Sequence, residues 1–278
     1  MKQLNNQVAE LVLQNHGIDI SKYDTVFLDK SIQKRLTETQ CNSDSSYLEL
    51  IKFNVNESEH FVNSLSISYS EFFRNPLTFS VLEKIIIPSI MMDKVHSKKK
   101  EIRIWSAACA AGQETYSLAI LLKEFSMAIG EKINFRIFAT DQSESQINEA
   151  QSGVYNDSVL HNVTLKRLNN WFRKDGDNYH INSELKENVD FSVFDLFSEH
   201  YSCPPSSIFG DFDLVICANL LFYYQPAFRT KIMNKTSQCL STNGFLITSE
   251  TERDILLQAD FHEVYPQSAI FRQLSGYL

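Results

Sequence analysis

From Glu101 onward, short apolar runs alternate with helical stretches, and this alternation constrains the fold more than any other feature of the chain. The runs are Ile102–Trp105, Phe135–Thr140, Val189–Leu196, Phe212–Asn219 and Gly244–Ser249. Between the first two, Tyr116, Leu118, Ala119, Leu121 and Leu122 fall on the buried side of an amphipathic helix. Repetition of strand and helix predicts a doubly wound α/β fold, a mostly parallel sheet with helices on both faces. Two late runs, Phe261–Tyr265 and Ser268–Leu274, are separated only by Pro266 and Gln267. No helix fits in that gap, so the sheet is expected to finish in an antiparallel hairpin.

The first 73 residues read differently. Leu4, Val8, Leu11 and Val12 recur at helical spacing and Gly17 supplies a stop. Phe27, Leu28, Ile32 and Leu36 mark a second helix, Ser43 an N-cap ahead of Tyr47, Leu48 and Ile51, and Phe61, Val62 and Leu65 a fourth segment. A helical domain at 1–73 followed by an α/β domain at 74–278 is therefore expected. A length of 278 residues with 43% hydrophobic content supports such a pair of cores and excludes a disordered chain.

Composition removes several classes of function. The longest apolar run, Ile85 to Met92, is too short to span a bilayer, and the N-terminus lacks the apolar segment of a signal peptide, so a cytoplasmic protein is expected. The five cysteines are scattered and form no CxxC pair, which argues against zinc, redox or disulfide-scaffold roles. A net charge of −8 without a long basic block argues against nucleic-acid binding. The basic cluster Lys94, Lys98, Lys99 and Lys100 reads as a solvated loop.

In a doubly wound sheet, ligands bind beyond the carboxyl ends of the strands. After the first strand comes Ser106-Ala107-Ala108-Cys109-Ala110-Ala111-Gly112-Gln113-Glu114, whose small side chains allow close approach to the backbone. It is neither a GxGxxG fingerprint nor a P-loop. Asp141 ends the second strand, where an acid can accept both hydroxyls of a ribose; its competing role is to cap the helix that begins near Ser143. Asn219 and Tyr223 lie just past the fourth strand, and Arg74 sits in Phe72-Phe73-Arg74-Asn75-Pro76 at the domain junction. Spacing alone leads to a nucleoside-binding α/β enzyme, with NAD and S-adenosylmethionine (SAM) both open.

Four segments carry a resemblance over nearly the whole chain: SISYSEFFRNP (66–76), IRIWSAACAAGQETYS (102–117), IFATDQSESQINEAQSGVY (137–155) and FDLVICANLLFYYQP (212–226). In this order they resemble the CheR-type protein-glutamate O-methyltransferases of bacterial chemotaxis. The resemblance implies a Rossmann-like class I methyltransferase domain behind an all-helical one, with a small β-subdomain inserted at about 165–190. It implies SAM as cofactor and S-adenosylhomocysteine as product. The cofactor contacts it implies are Ser68, Ser70, Arg74, Glu114, Asp141, Asp195, Leu196, Ala218 and Asn219. Arg74 and Tyr223 are implied to hold the acceptor carboxylate.

The sequence departs from the family pattern at Ser68 with Ser70, at Asp195 and at Ala218, where the family has Asn and Thr, Asn, and Arg. A divergent but active member is expected, with a non-catalytic SAM-binding module as the alternative and an NAD-dependent oxidoreductase as a more distant one. The resemblance further implies glutamates on the cytoplasmic helices of chemoreceptors as acceptors, a monomeric enzyme, and no metal. A glutamate carboxylate, with a reference pKa of about 4.3, is ionised at neutral pH and needs no general base. Residues 171–181 read as a hairpin turning at Asp175-Gly176. Its short loop leads to the expectation of an enzyme independent of a receptor's C-terminal pentapeptide.

Overall fold

A computed structural model of the chain describes residues 2–65, 69–96, 101–207 and 209–273. Its packing divides into two units: Met1–Ile67 with Leu220–Thr230, and Ser68–Asn219 with Lys231–Leu278.

The first unit holds α1 (Lys2–His16), α2 (Thr25–Glu38), α3 (Asp44–Phe53) and α4 (Val55–Ser64). Polar side chains start three of them. The Asp24 carboxylate accepts the Val26 N–H at 2.9 Å, Ser43 and Ser46 cap each other reciprocally, and the Asn54 side chain accepts the Glu57 N–H. Val8, Val12, Ile32, Tyr47, Ile51 and Phe61 bury almost completely, each such side chain contributing about 1.5–3 kcal/mol. Leu220–Thr230 joins these helices through hydrogen bonds. The Asp24 N–H donates to the Tyr223 carbonyl at 2.7 Å, and the Gln225 amide donates to the Ser21 carbonyl at 2.7 Å. Tyr23 and Tyr224 stack with ring centroids 5.0 Å apart.

The second unit opens with α5 (Pro76–Val81), a π-helical turn (Leu82–Ile86) and α6 (Ile87–His96). Pro88 has no N–H to give the preceding turn, and the Ile87 N–H bonds five residues back to the Leu82 carbonyl. Then follow β1 (Ile102–Ala107), α7 (Gln113–Ile129), β2 (Phe135–Asp141) and α8 (Glu144–Ser152). An insertion contributes β3 (Val154–Asn156), α9 (Leu165–Trp171), β4 (Phe172–Asp175), β5 (Asn178–Ile181) and α10 (Ser183–Lys186). The chain closes with β6 (Val189–Val193), β7 (Phe212–Ile216), α11 (Pro226–Gln238), β8 (Leu240–Ile247), α12 (Arg253–Leu257), β9 (Phe261–Glu263) and β10 (Ile270–Gln273).

The main sheet has seven strands in the order β6-β2-β1-β7-β8-β10-β9. β6, β2, β1, β7 and β8 are parallel, and β10 runs antiparallel to both its neighbours, so the late hairpin forms as expected, although its strands are shorter than the apolar runs and Val264–Ala269 connects them. Helix α7 is buried from Thr115 to Leu122, which explains why its sequence is apolar over so much of its circumference. The insertion forms its own three-stranded antiparallel sheet, β3-β5-β4, with Gly176 and Asp177 as the loop of the β4–β5 hairpin. Its first strand, β3, has only three residues, too few to show a period in the sequence.

The packing also places Phe72 and Phe73 with the sheet. Phe72 packs edge-on against Tyr155 and Phe172 at centroid distances of 4.9 and 5.1 Å, and both phenylalanines are buried. Packing thus draws the boundary at 67/68 where sequence character alone suggests 73/74.

Candidate active site

β1 is flanked by β2 on one side and β7 on the other, and the chain reverses its direction across the sheet between them. A crevice forms at such a switch point because the connections leave in opposite directions. Ser106 lies level with Ala139 of β2 and Ile216 of β7, so the turns that follow these strands emerge side by side.

The turn after β1 is tightly held. Ala108, Ala110 and Gly112 have φ of +58°, +47° and +87°, a region that is costly for alanine and persists only where surroundings enforce it. Here the Cys109 N–H donates to the Thr140 carbonyl at 2.9 Å and the Gly112 N–H to the Cys109 carbonyl at 3.0 Å. The Tyr155 hydroxyl donates to the Ala111 carbonyl at 2.7 Å. Gly112 has a second reason to be glycine, since a Cβ there would lie 2.9 Å from that of Ala150.

Two acids stand at this turn. Asp141 accepts the Ala110 N–H at 3.0 Å through Oδ2 and the Ser143 N–H at 2.9 Å through Oδ1, and burial raises its carboxyl above the usual range. Ser143, not Asp141, caps α8, with its hydroxyl accepting the Gln146 N–H. Glu114 lies in the first turn of α7 and accepts the Ser106 hydroxyl at 2.8 Å; that hydroxyl accepts from Thr115 at 3.1 Å. Burial pushes the Glu114 carboxyl up to about 7, opposed by the Ser106 hydrogen bond and by the positive charge of Arg74, and reinforced by the negative charge of Glu252.

Arg74 is set in place by its neighbours. Phe73 and Asn75 on either side both have positive φ, +52° and +64°. The Phe73 N–H donates to the Ser117 hydroxyl at 3.0 Å and the Phe72 N–H to the Val159 carbonyl at 3.1 Å. The Arg74 guanidinium donates to the Tyr69 carbonyl at 2.8 Å and lies 5.3 Å from that ring's centroid. Behind it, the Arg167 guanidinium sits 4.5 Å from the Phe73 centroid and is itself held by Glu83 and Glu124.

The remaining predicted site residues divide. Asn219, just past β7, has φ of +60° and donates its backbone N–H to Glu252 at 2.8 Å. Ala218 is half-buried and packs against the main core. Asp195 is exposed and turns its carboxylate back on its own loop, accepting the Phe197 N–H at 2.9 Å, while Leu196 is buried. Ser70 is half-buried, and Ser68 lies outside the described residues. Tyr223 belongs to the helical unit, in a 3₁₀ turn (Leu221–Tyr223), with its ring centroid 5.0 Å from Phe27 and 4.1 Å from Phe222.

Arg74, Glu114 and Asp141 are thus gathered around the ends of β1 and β2, and Asn219 is linked to the same charge system through Glu252. Sequence reading gives no supporting role to Ser106, Ser117 or Glu252, although the first two lie in the quoted segment 102–117. Only Glu252 left a local signal: Ser249-Glu250-Thr251-Glu252 has capping-box spacing, and the structure forms that box. Among the described residues no cluster of three or more His, Cys, Asp or Glu is arranged to hold a metal, and no helix is long and apolar enough to cross a membrane.

Comparison with known proteins agrees with this architecture. Residues 6–66 match the CheR methyltransferase all-alpha domain, and residues 68–267 match the CheR methyltransferase SAM binding domain. The chain is 26% identical over 253 residues to a chemotaxis protein methyltransferase of Borreliella burgdorferi, covering 89% of this chain and 87% of that one. It is 27% identical over 263 residues to the chemotaxis protein methyltransferase of Escherichia coli, covering 92% and 86% respectively. An uncharacterized 104.1 kDa protein of Rhodobacter capsulatus is 27% identical over 269 residues, and there the chain covers only 27% of the longer protein. With both family domains matched in order along one chain, the protein belongs to the CheR methyltransferase family, and its cofactor is S-adenosyl-L-methionine.

Proposed function

We propose that the protein methylates glutamate side-chain carboxylates of chemoreceptors in the cytoplasm, giving the glutamate methyl ester and S-adenosylhomocysteine. The observation that carries this reading is the placing of Glu114, held by the Ser106 hydroxyl at 2.8 Å in the first turn after β1 and acted on by the charge of Arg74, one strand from Asp141. An amino acid presents an ammonium and a carboxylate, and Glu114 and Arg74 offer the complementary charges. Asp141 spends one acceptor site of each oxygen on a backbone N–H. A carboxylate has about four such sites, so capacity is left to accept from the ribose.

Glu114 also argues against NAD. A dinucleotide places its pyrophosphate at the start of the helix after β1, where backbone N–H groups favour an anion. Here a half-buried acid occupies the first turn of that helix and would repel it.

When bound, SAM supplies an electrophilic sulfonium methyl group. The chain's task is to bring an already ionised carboxylate into line and keep water away from it, and positioning of this kind can contribute up to about 7–11 kcal/mol. We assign the acceptor carboxylate to Arg74 and Tyr223, and cofactor contacts to Ser68, Ser70, Arg74, Glu114, Asp141, Asp195, Leu196, Ala218 and Asn219. The two-residue loop of the β4–β5 hairpin supports recognition that does not require a receptor's C-terminal pentapeptide.

One observation favours a second reading, that of a SAM-binding module without catalysis. Ala218 stands where the family has an arginine, and it packs against the core with no charge to offer. The test is calorimetric titration with SAM and S-adenosylhomocysteine, joined to a tritiated-methyl assay on receptor-containing membranes from the source cell. Binding at micromolar affinity or better with base-labile methyl incorporation is expected. Binding without incorporation would select the module, and absence of binding would overturn both.

A further inference from the structure

We propose that Glu252 is a positioning residue that holds Asn219 in its cofactor-binding conformation; this rests on the SAM reading above. Glu252 is fully buried, yet it lies outside every strand and far in sequence from the residues assigned to the site. Its Oε2 collects three donors: the Asn219 N–H at 2.8 Å, the Ser249 N–H at 3.0 Å and the Ser249 hydroxyl at 2.7 Å.

These donors come from the ends of two adjacent strands. Asn219 follows β7 and Ser249 follows β8, strands whose last paired residues are Ile216 and Ile247. The Cys217 N–H still reaches the Ile247 carbonyl at 2.9 Å, after which the backbones separate. One carboxylate oxygen therefore fixes both chains where the ladder stops. Without it, the buried Ser249 N–H and the part-buried Asn219 N–H would lose this acceptor, and native structures rarely leave such groups unpaired.

The same contact selects an unusual backbone at Asn219. Its φ of +60° is uncommon outside glycine, although asparagine tolerates it better than most. The carboxylate aims the N–H inward, and that in turn fixes the direction in which the Asn219 side chain leaves the strand end. An anion suits three donors converging on one oxygen better than an amide, whose neutral carbonyl oxygen accepts more weakly. The charge of Glu252 is also felt by Glu114, so the two acids belong to one electrostatic system.

The test is a double-mutant cycle read by S-adenosylhomocysteine affinity, with Glu252→Gln, Asn219→Ala and the double variant, each checked for folding by thermal melting. Glu252→Gln alone is expected to weaken binding by about tenfold or more. If Glu252 acts through Asn219, the double variant binds within about twofold of Asn219→Ala alone. Multiplying losses, or a folded Glu252→Gln protein with wild-type affinity, would overturn the proposal.

Amide hydrogen exchange of protein labelled at asparagine supplies a readout that needs neither ligand nor activity. The Asn219 amide is expected to be protected in the wild type and to exchange faster in Glu252→Gln and in Glu252→Asp, which keeps the charge but is one methylene shorter. An Asn219 amide that exchanges like an exposed peptide in the wild type would refute the contact, even if no variant folds. Should the wild type bind no S-adenosylhomocysteine, the SAM reading fails, while exchange still decides whether Glu252 holds Asn219.

Discussion

Oδ2 of Asp141 accepts the backbone N–H of Ala110 at 3.0 Å, tying the end of β2 to the strained turn after β1. The proposed ribose acceptor is thus also a strut of the turn that the ligand approaches. Asp141→Ala removes both functions and is expected to weaken S-adenosylhomocysteine binding by about 1.5–3 kcal/mol, the scale of hydrogen bonds to charged groups. Asp141→Asn keeps an oxygen for Ala110 and should fall between the two. The fold should survive both changes because the site lies at a strand end. Titration calorimetry showing equal affinity in all three proteins would remove Asp141 from the site.

Glu114 makes binding and stability respond to pH in opposite ways. An acid with a folded pKa raised to about 7 costs nothing below its ordinary value of 4.5. The cost grows between those two values and is complete above 7, reaching at most about 3 kcal/mol. Glu114→Gln should therefore raise the melting temperature of the ligand-free protein at pH 8 and leave it unchanged near pH 4.5.

Ligand binding has the other sign. An ammonium group is neutralised only by ionised Glu114, so wild-type affinity should fall as pH drops through 7, with proton release on binding. Titrations in buffers of different ionisation enthalpy would detect that proton. A pH-independent affinity between 6 and 8 would separate Glu114 from the cofactor's charge.

Much of the sheet is legible from sequence because buried parallel strands are continuous apolar runs that end in turn residues, as at Trp105 and Ile216. The hairpin at Pro266-Gln267 is legible for a simpler reason, that nothing else fits the gap. Three features leave weaker traces. Pro88 interrupts the helical pattern of residues 76–96, and the π turn before it absorbs the break in a way that periodicity does not encode. The alliance of Leu220–Thr230 with the helices rests on backbone hydrogen bonds such as Asp24 to Tyr223, which no side-chain pattern announces. Glu252 looks like one more acid in a polar turn until its burial is known. Spacing points to the strand ends and to Asp141, whereas the roles assigned to Arg74 and Tyr223 depend on resemblance.

Ser117 offers a test of how Arg74 is held. Its hydroxyl accepts the Phe73 N–H at 3.0 Å and donates to the Gln113 carbonyl at 2.7 Å, both in the buried interior. Ser117→Ala leaves the Phe73 N–H without an acceptor next to a residue already at positive φ. A loss of about 1–3 kcal/mol in denaturant unfolding is expected, together with weaker S-adenosylhomocysteine binding as Arg74 loses its fixed setting. An unchanged denaturation midpoint would mean that the segment is held by its aromatic packing alone.

Arg74 and Tyr223 should separate binding from chemistry. Arg74 carries a full charge that acts on Glu114, so Arg74→Ala is expected to reduce both cofactor affinity and methylation rate. Tyr223 offers a neutral hydroxyl, and its ring packs against Phe27 and Phe222. Phenylalanine would preserve those ring contacts, and the turn is fixed through backbone hydrogen bonds that the substitution does not touch. Tyr223→Phe therefore removes one hydroxyl and keeps the ring. If that hydroxyl aligns the acceptor, methyl transfer should slow by about 10- to 100-fold while S-adenosylhomocysteine affinity stays within a few-fold. A tyrosine that serves only packing would lose nothing on becoming phenylalanine. Wild-type turnover in Tyr223→Phe, measured with saturating SAM and receptor membranes, would reject the catalytic assignment and leave Arg74 as the residue holding the carboxylate.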